Sequence, residues 1–228
     1  MSTSPPTNIH LWMVDSLKSI SADGLRQCQA LLKGEEVEVF SRLTHPRRKR
    51  EFVVGRALAR LGLASLCKTS PEAFRFARQS HGRPFVQNPH PEMSFNLSHC
   101  ESMVICAFSN RAQVGVDIEA VSRKALTRDI AKRFFSAEEA RELAPMDVSE
   151  YQNRFFDLWT LKEAYIKATG LGLSLSLKSF AFAFPRPGTI SFSRASVPED
   201  AARWQFGLFE LPHQIRLALA VECAGAIQ

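Results

Sequence analysis

Two long segments of this chain have helical periodicity, and each precedes several short segments that alternate like strands. The first covers residues 46–66, with proline at a tolerated first-turn position, and the second is centred on Trp159. A helix followed by strands in each half predicts an α+β fold. We therefore expect two similar lobes, residues 1–112 and 113–228, each with a small sheet packed on a long helix, joined in one compact body.

Shorter elements are predicted from the same periodicities. Helices are expected at residues 22–32 and 125–135, and a capping box at residues 136–139 predicts another that ends before Pro145. A polar segment, residues 98–101, has the composition of a hairpin loop. The predicted strands are residues 9–14, 74–78, 93–97, 103–108, 114–119, 180–184, 190–193, 204–211 and 214–222.

The composition places the chain among ordinary globular proteins. It has 228 residues, 45% of them hydrophobic, and a formal net charge of +6, which favours an acidic partner or ligand. The five cysteines show no CxxC pairing, which argues against a zinc site or a disulfide framework. Residues 1–7 lack the features of a signal peptide, and no apolar run has the length of a membrane span. We expect a cytoplasmic protein without membrane contact.

The helix around Trp159 combines acidic and basic side chains within one turn. Glu163 and Lys167 are i,i+4 neighbours, Lys162 precedes Glu163, and Gly170 is a typical stop signal. A carboxylate between two ammonium groups suits a metal-bound polyphosphate. The alternative is an ordinary solvated Glu–Lys pair.

A strand with two carboxylates precedes this helix. Alternation over residues 114–119 puts Val114, Val116 and Ile118 on one face and Asp117 and Glu119 on the other. The Cα atoms of the two acidic residues are then roughly 6.5–7 Å apart, which allows both side chains to bind one divalent cation. The alternative is a half-exposed strand with an acidic outer face.

Three further segments are candidates for anion binding. Ser98 and His99 lie in the predicted loop, and Arg83 lies in a turn from which its guanidinium can bind phosphate. A basic run, residues 47–50, opens the first long helix, where cations oppose the helix dipole. A plain turn and a solvated arginine are the more common explanations of the first two segments, and the basic run alone would suggest nucleic acid.

Four motifs in this order resemble those of the 4'-phosphopantetheinyl transferases. Residues 115–119, GVDIE, resemble the family's GxDxE motif, and residues 159–167, WTLKEAYIK, resemble its WxxKEAxxK motif. Residues 95–99, FNLSH, are similar to FNxSH, and residues 82–84, GRP, to the GKP turn. Their order and spacing resemble the larger, monomeric type of the family, the type that activates surfactin synthetase.

The resemblance implies transfer of the phosphopantetheine arm of coenzyme A to a serine of an apo carrier protein, with release of adenosine 3',5'-bisphosphate. It also implies that a pseudo-two-fold axis relates the two lobes, with coenzyme A in the cleft between them. The positive net charge suits carrier proteins, whether acyl, peptidyl or aryl, because these tend to be acidic around the target serine. The implied partners are coenzyme A and a carrier protein, without nucleic acid or membrane.

The resemblance also implies roles for individual residues. Glu163 would deprotonate the attacking serine, directly or through a water molecule, and Asp117 and Lys167 would complete the catalytic set. Mg²⁺ would be held against the pyrophosphate by Asp117, Glu119 and Glu163. The implied coenzyme A contacts are Arg47, Arg78, Arg83, Pro84, Ser98, His99, Lys162, Glu163 and Lys167.

Two positions depart from the family pattern. Arg83 replaces the usual lysine of the GKP turn, which keeps the charge and changes its geometry. The basic run at Arg47 aligns loosely. Two alternatives to the transferase remain: a basic module that binds nucleic acid, and an inactive relative that only binds carrier proteins. The first would need aromatic residues among the basic ones, which the sequence lacks.

Overall fold

The computed structural model describes residues 8–15, 17–101, 103–121, 128–194, 196–197 and 200–223. The chain divides into two compact units, Met1–Val114 (unit 1) and Gly115–Gln228 (unit 2). This division falls close to the predicted lobe boundary. Residues 1–7, where a signal peptide was considered, lie outside the described residues, as do residues 125–127 of the predicted helix 125–135.

Helices and strands alternate in blocks along the chain. The helices are α1 Ala22–Ala30, α2 Glu35–Arg42, α3 Pro46–Cys67, α4 Arg128–Phe134, α5 Ala137–Leu143, α6 Val148–Thr169 and α7 Asp200–Arg203. The strands are β1 Ile9–Val14, β2 Arg75–Arg78, β3 Pro84–Asn88, β4 Ser94–Cys100, β5 Met103–Ser109, β6 Val114–Ala120, β7 Ala181–Arg186, β8 Thr189–Ser193, β9 Trp204–Leu211 and β10 Ile215–Glu222. This mixture of helix and sheet confirms the predicted α+β class at that level, and the pseudo-two-fold relation stays a prediction.

Unit 1 is built around α3 and a three-stranded sheet. The sheet has the order β1-β5-β4 with antiparallel neighbours, and β2 pairs with β3 as a separate hairpin. The helix α3 packs on β5 through an apolar core that includes Val54, Leu63, Phe95 and Phe108. Pro46 is the first helical residue, as its sequence position predicted, and Lys68 ends the helix in the left-handed region.

Unit 2 contains the same kinds of element as unit 1. The helix α6 packs against the three-stranded sheet β6-β10-β9, and β7 and β8 form a separate hairpin. Asp147 caps α6 by accepting hydrogen bonds from the backbone N–H groups of Ser149 and Glu150. Gly170 ends the helix with φ of 70°, which confirms the predicted stop signal. The core of this unit is rich in aromatic side chains, among them Tyr165 and Phe180.

The structure differs from the predicted secondary structure in three places. Residues 98–100 belong to β4, which pairs with β5 up to Cys100, so Ser98 and His99 lie in a strand rather than a loop. The helix α2 was not predicted. The strand β3 was also missed, since Pro84 was placed in a turn, whereas it pairs with Arg78 at the first position of that strand.

Candidate active site

In unit 2, β6 and α6 approach each other unusually closely at Gly115. A Cβ atom at this position would lie 2.0 Å from the carbonyl oxygen of Ala164 and 2.6 Å from the backbone nitrogen of Ala168. Only glycine allows this contact between strand and helix, which explains the glycine of the GxDxE segment. The contact brings the acidic residues of β6 next to the charged turn of α6.

Asp117 and Lys167 form the ion pair at the centre of this region. The Nζ atom of Lys167 lies 2.6 Å from Oδ1 of Asp117 and 3.3 Å from the carbonyl oxygen of Val116. Asp117 is buried and Lys167 is half-buried, so this pair is partly shielded from solvent. Sequence analysis predicted both residues for one site, and the structure brings them together.

Glu119 lies on the same strand, in surroundings that disfavour the charged form of its carboxylate. Its Oε1 accepts a hydrogen bond of 3.3 Å from Nε1 of Trp159, the aromatic residue that opens the motif on α6. Burial, together with the negative charges of Asp117 and Glu163, raises the pKa of Glu119 to about 7, although the hydrogen bond from Trp159 and the charge of Lys167 act in the opposite direction. Sequence analysis did not assign Trp159 a role.

Glu163 completes this carboxylate cluster, which consists of Asp117, Glu119 and Glu163. It lies one turn before Lys167 on α6 and is half-buried. Burial raises the pKa of Glu163, the charge of Asp117 raises it further, and Lys167 lowers it. The three carboxylates, which are those that the resemblance implies as metal ligands, therefore act on one another electrostatically.

The carboxylate oxygens of the cluster are suitable ligands for a hard divalent cation. Their negative charges repel one another, and such an ion would stabilise them. In the described part of the chain, however, no group of three or more His, Cys, Asp or Glu side chains is already arranged to hold a metal ion. Asp117 is turned toward Lys167 instead. Binding of a metal would thus require these side chains to rotate.

Lys162 lies elsewhere, although it precedes Glu163 in the sequence. Its side chain is fully buried, and its Nζ lies 2.8 Å from Oε2 of Glu139 and 2.8 and 2.7 Å from the carbonyl oxygens of Leu177 and Phe180. An ammonium group has three protons, and these three oxygens can accept all of them. This position differs from the predicted phosphate contact.

In unit 1, Arg47 and His99 are linked through Glu51. Oε1 of Glu51 accepts a hydrogen bond of 2.7 Å from Nε of Arg47, and its Oε2 lies 3.9 Å from Nδ1 of His99. Glu51 is buried, whereas Arg47 and His99 are exposed and accessible to an anion. Sequence analysis missed Glu51, although an acidic residue four positions after Arg47 in a basic run was a usable signal.

The other predicted nucleotide contacts lie in the same unit. Ser98 is buried in β4, and the half-buried Arg83 donates to the carbonyl oxygen of Val114 at 3.1 Å and to Oγ of Ser94 at 3.3 Å. Arg83 and Pro84 border a cavity of about 200 Å³. Arg83 is therefore held by protein oxygens beside a space large enough for part of a ligand.

Arg78 is exposed and lies 3.4 Å from Oε1 of Glu35 through its Nε atom. It borders a smaller cavity of about 80 Å³ together with Arg56 and Arg60. Behind it, the buried Glu36 lies 3.6 Å from Arg56 and 2.6 Å from Arg60. The structure thus groups Arg78 with two arginines of α3, a grouping that the sequence did not reveal.

The basic run that suggested nucleic acid is partly used inside the protein. Arg50 donates to the carbonyl oxygens of Leu17 and Ile20, and the ammonium group of Lys49 lies over the ring of Phe40. These contacts explain part of the run as internal packing.

None of the helices in the described ranges combines the length and apolar character that crossing a membrane requires.

Comparison with known proteins identifies the family. Residues 113–220 match the 4'-phosphopantetheinyl transferase superfamily, and residues 19–111 match the family described as 4'-phosphopantetheinyl transferase, N-terminal. The chain is 32% identical to the 4'-phosphopantetheinyl transferase HetI of Nostoc sp., over 72% of this chain and 69% of the relative. It is also 32% identical to the 4'-phosphopantetheinyl transferase Sfp of Bacillus subtilis, over 68% of this chain and 67% of the relative.

The chain therefore belongs to the 4'-phosphopantetheinyl transferase superfamily. It is an enzyme, a phosphopantetheinyl transferase, as the four motifs predicted. Among solved structures, the holo-[acyl-carrier-protein] synthase of Thermotoga maritima is similar with a TM-score of 0.41 and 22% identity, over 49% of this chain and 62% of that chain. A similarity of that extent assigns no residue a role.

Proposed function

We propose that the protein transfers the 4'-phosphopantetheine arm of coenzyme A to a serine hydroxyl of an apo carrier protein and releases adenosine 3',5'-bisphosphate. The observation that carries this proposal is the meeting of Asp117, Glu119, Glu163 and Lys167 where β6 contacts α6. Family membership supplies the reaction class, and these four side chains supply the charges that phosphoryl transfer needs.

In the proposed step, the serine oxygen forms a bond to the phosphorus that carries the pantetheine arm. The bond between this phosphorus and the bridging pyrophosphate oxygen breaks, and the electron pair leaves with adenosine 3',5'-bisphosphate. Glu163 accepts the serine proton, since it is a half-buried carboxylate at the cluster. The ammonium group of Lys167 stabilises the negative charge that develops on the leaving phosphate.

Mg²⁺ is the proposed metal, with Asp117, Glu119 and Glu163 as its protein ligands. When bound, it supplies positive charge that neutralises the pyrophosphate of coenzyme A. Burial and, second to it, repulsion by Asp117 raise the pKa values of Glu119 and Glu163, and a cation at this cluster would offset both effects, which supports the proposal.

The nucleotide portion of coenzyme A is proposed to contact residues of unit 1. Arg47 and His99 are exposed, and Arg83 and Pro84 border the cavity of about 200 Å³. Ser98, which lies in the segment similar to FNxSH, and Arg78, which corresponds to a family contact by position only, remain proposed contacts. The net charge of +6 favours binding of an acidic carrier protein.

We also propose that the enzyme acts as a monomer and is located in the cytoplasm. Light scattering would test the monomeric state, and cell fractionation would test the location.

The experiment that tests the function is the intact mass of apo acyl carrier protein after incubation with this protein, coenzyme A and Mg²⁺. We expect a gain equal to one phosphopantetheine arm, together with one adenosine 3',5'-bisphosphate released per modified carrier. Apo peptidyl and aryl carriers are run in parallel, so that a narrow carrier preference is recognised.

Two other outcomes would contradict the proposal. Coenzyme A binding without a mass gain on any carrier would indicate an inactive relative. Salt-sensitive binding of random DNA without coenzyme A binding would instead indicate a nucleic-acid module.

A further inference from the structure

The carboxylate of Glu139 connects three elements of unit 2. Its Oε2 accepts a hydrogen bond of 2.9 Å from the backbone N–H of Ser136, which caps α5, and lies 2.8 Å from Nζ of Lys162 on α6. Its Oε1 accepts a hydrogen bond of 2.9 Å from the backbone N–H of Phe182 on β7. Glu139 and Lys162 have exposed side-chain fractions of 1% and 0%, so neither is accessible to a ligand.

The ammonium group of Lys162 is also enclosed by aromatic rings and backbone oxygens. It lies 4.4 Å from the ring centroid of Phe180 and 5.6 Å from that of Phe135, in addition to its contacts with two carbonyl oxygens. Such contacts hold a buried cation in one orientation. The position of Lys162 is therefore determined by α5, β7 and the chain between α6 and β7.

A fixed Lys162 restrains the rotation of α6 about its own axis. Successive helical residues are separated by about 100°, so anchoring one side chain determines the direction of the next. The next residue is Glu163, whose carboxylate must reach the acidic residues of β6. A displacement of about 1 Å in a reacting group can reduce a rate about 100-fold.

We propose that Lys162 and Glu139 form a buried positioning pair, which sets the rotation of α6 and so directs Glu163 and Lys167 toward Asp117. Lys162 acts through the helix and does not contact coenzyme A. This inference rests on the proposed function, because its main readout is the rate of carrier modification.

Removing one charged partner of a buried ion pair and neutralising both partners have different effects on stability. The Lys162→Met variant keeps most of the side-chain volume but leaves the carboxylate of Glu139 buried without its cation, which is strongly destabilising. Combining it with Glu139→Gln removes both charges, while the amide oxygen can still accept one backbone hydrogen bond. The double variant should therefore be more stable than the single one.

The experiment compares wild type, Lys162→Met, and the double variant Lys162→Met/Glu139→Gln. Thermal unfolding and carrier modification are measured, the latter well below the unfolding temperature of each variant. We expect Lys162→Met to lower the unfolding midpoint by roughly 6–20 °C. Its kcat per folded molecule should fall about 100-fold, with less than about a twofold change in the KM for coenzyme A. The double variant should recover about half of the lost midpoint and at least about tenfold in kcat.

A matched control comes from another ion pair on the same helix. Arg216 on β10 lies 2.7 Å from Oδ1 of Asp157 on α6, with an exposed side-chain fraction of 10%. Its ion-pair partners in the described part of the chain are Asp157 and Glu210, neither of which belongs to the acidic cluster. Arg216→Met should lower the unfolding midpoint without lowering kcat per folded molecule. This separates loss of positioning from loss of stability.

Three results would overturn the inference. A raised KM for coenzyme A in both Lys162 variants would mean that Lys162 contacts the substrate. An unchanged kcat per folded molecule in Lys162→Met would reduce the pair to a purely structural role, as would an equal loss of kcat in Arg216→Met. Absence of activity in the wild type would refute the proposed function instead, so the two failures are distinguishable.

Discussion

At the scale of single residues, Asp117 interacts with each of the other three charged groups of the site. It pairs with Lys167 at 2.6 Å, and its charge raises the pKa values of Glu119 and Glu163. We expect Asp117→Ala to reduce kcat by about 100-fold or more, because a charge arranged for the transferred phosphate is lost. Steady-state assays of carrier modification measure this. Asp129→Ala, at an exposed site of the same unit, is the control and should behave as wild type.

Glu163 is the residue to which we assign the proton transfer. Glu163→Ala should lower kcat by roughly 100- to 10,000-fold, since general-base catalysis contributes about that much. Circular dichroism should remain that of the wild type, because Glu163 is only half-buried. Near-normal turnover in this variant would contradict the assignment of Glu163 as the base.

Lys167 provides a different readout because its proposed role includes binding of the substrate. Lys167→Ala should raise the KM for coenzyme A and also lower kcat, since charge on the pyrophosphate is left uncompensated. Titration of coenzyme A under steady-state conditions measures both. Lys132→Ala is the matched control, as Lys132 is a largely exposed lysine of the same unit. If both variants behaved alike, Lys167 would be only a surface charge.

At the scale of elements, the contact between β6 and α6 depends on Gly115. Gly115→Ala places a Cβ 2.0 Å from the carbonyl oxygen of Ala164, so strand and helix must separate. We expect a loss of about 1–3 kcal/mol in the free energy of unfolding, together with reduced kcat. Denaturant unfolding and the carrier assay measure the two effects.

Gly55 on α3 is the matched control for this substitution. A Cβ there would make only an ordinary contact, 3.7 Å from Cγ1 of Val104. Because alanine is a better helix former than glycine, Gly55→Ala should leave the protein as stable as wild type or more stable. Equal destabilisation by both substitutions would show that the close approach at Gly115 is unimportant.

At the scale of the whole molecule, metal removal tests the acidic cluster. EDTA should abolish carrier modification, and Mg²⁺ should restore it, because the pyrophosphate and three carboxylates would otherwise repel one another. Retention of activity in EDTA would refute the proposed metal role. The apo protein should remain folded by circular dichroism, since the ammonium group of Lys167 pairs with the buried carboxylate of Asp117.

Several features of the fold followed from local sequence patterns. The first helical residue of α3 and the end of α6 were predicted from Pro46 and Gly170, whose backbone preferences are intrinsic. The helix α2 was missed because its valines alternate with glutamates as in a strand, and because the burial of Glu36 depends on its pairs with Arg56 and Arg60. Those arginines come from another helix, which no local pattern reveals.

The strand period puts Asp117 and Glu119 on one face, and the helix period puts Lys167 one turn after Glu163. Spacing did not show that the two segments meet, and only the resemblance to the transferase family implied it. The roles of Lys162 and Lys167 could not be separated in this way. They are the same residue type on the same helix, yet one is fully buried against Glu139 and the other reaches Asp117. Which face of a helix is buried depends on the elements packed around it. In this protein α5 and β7 enclose Lys162, whereas Lys167 contacts β6.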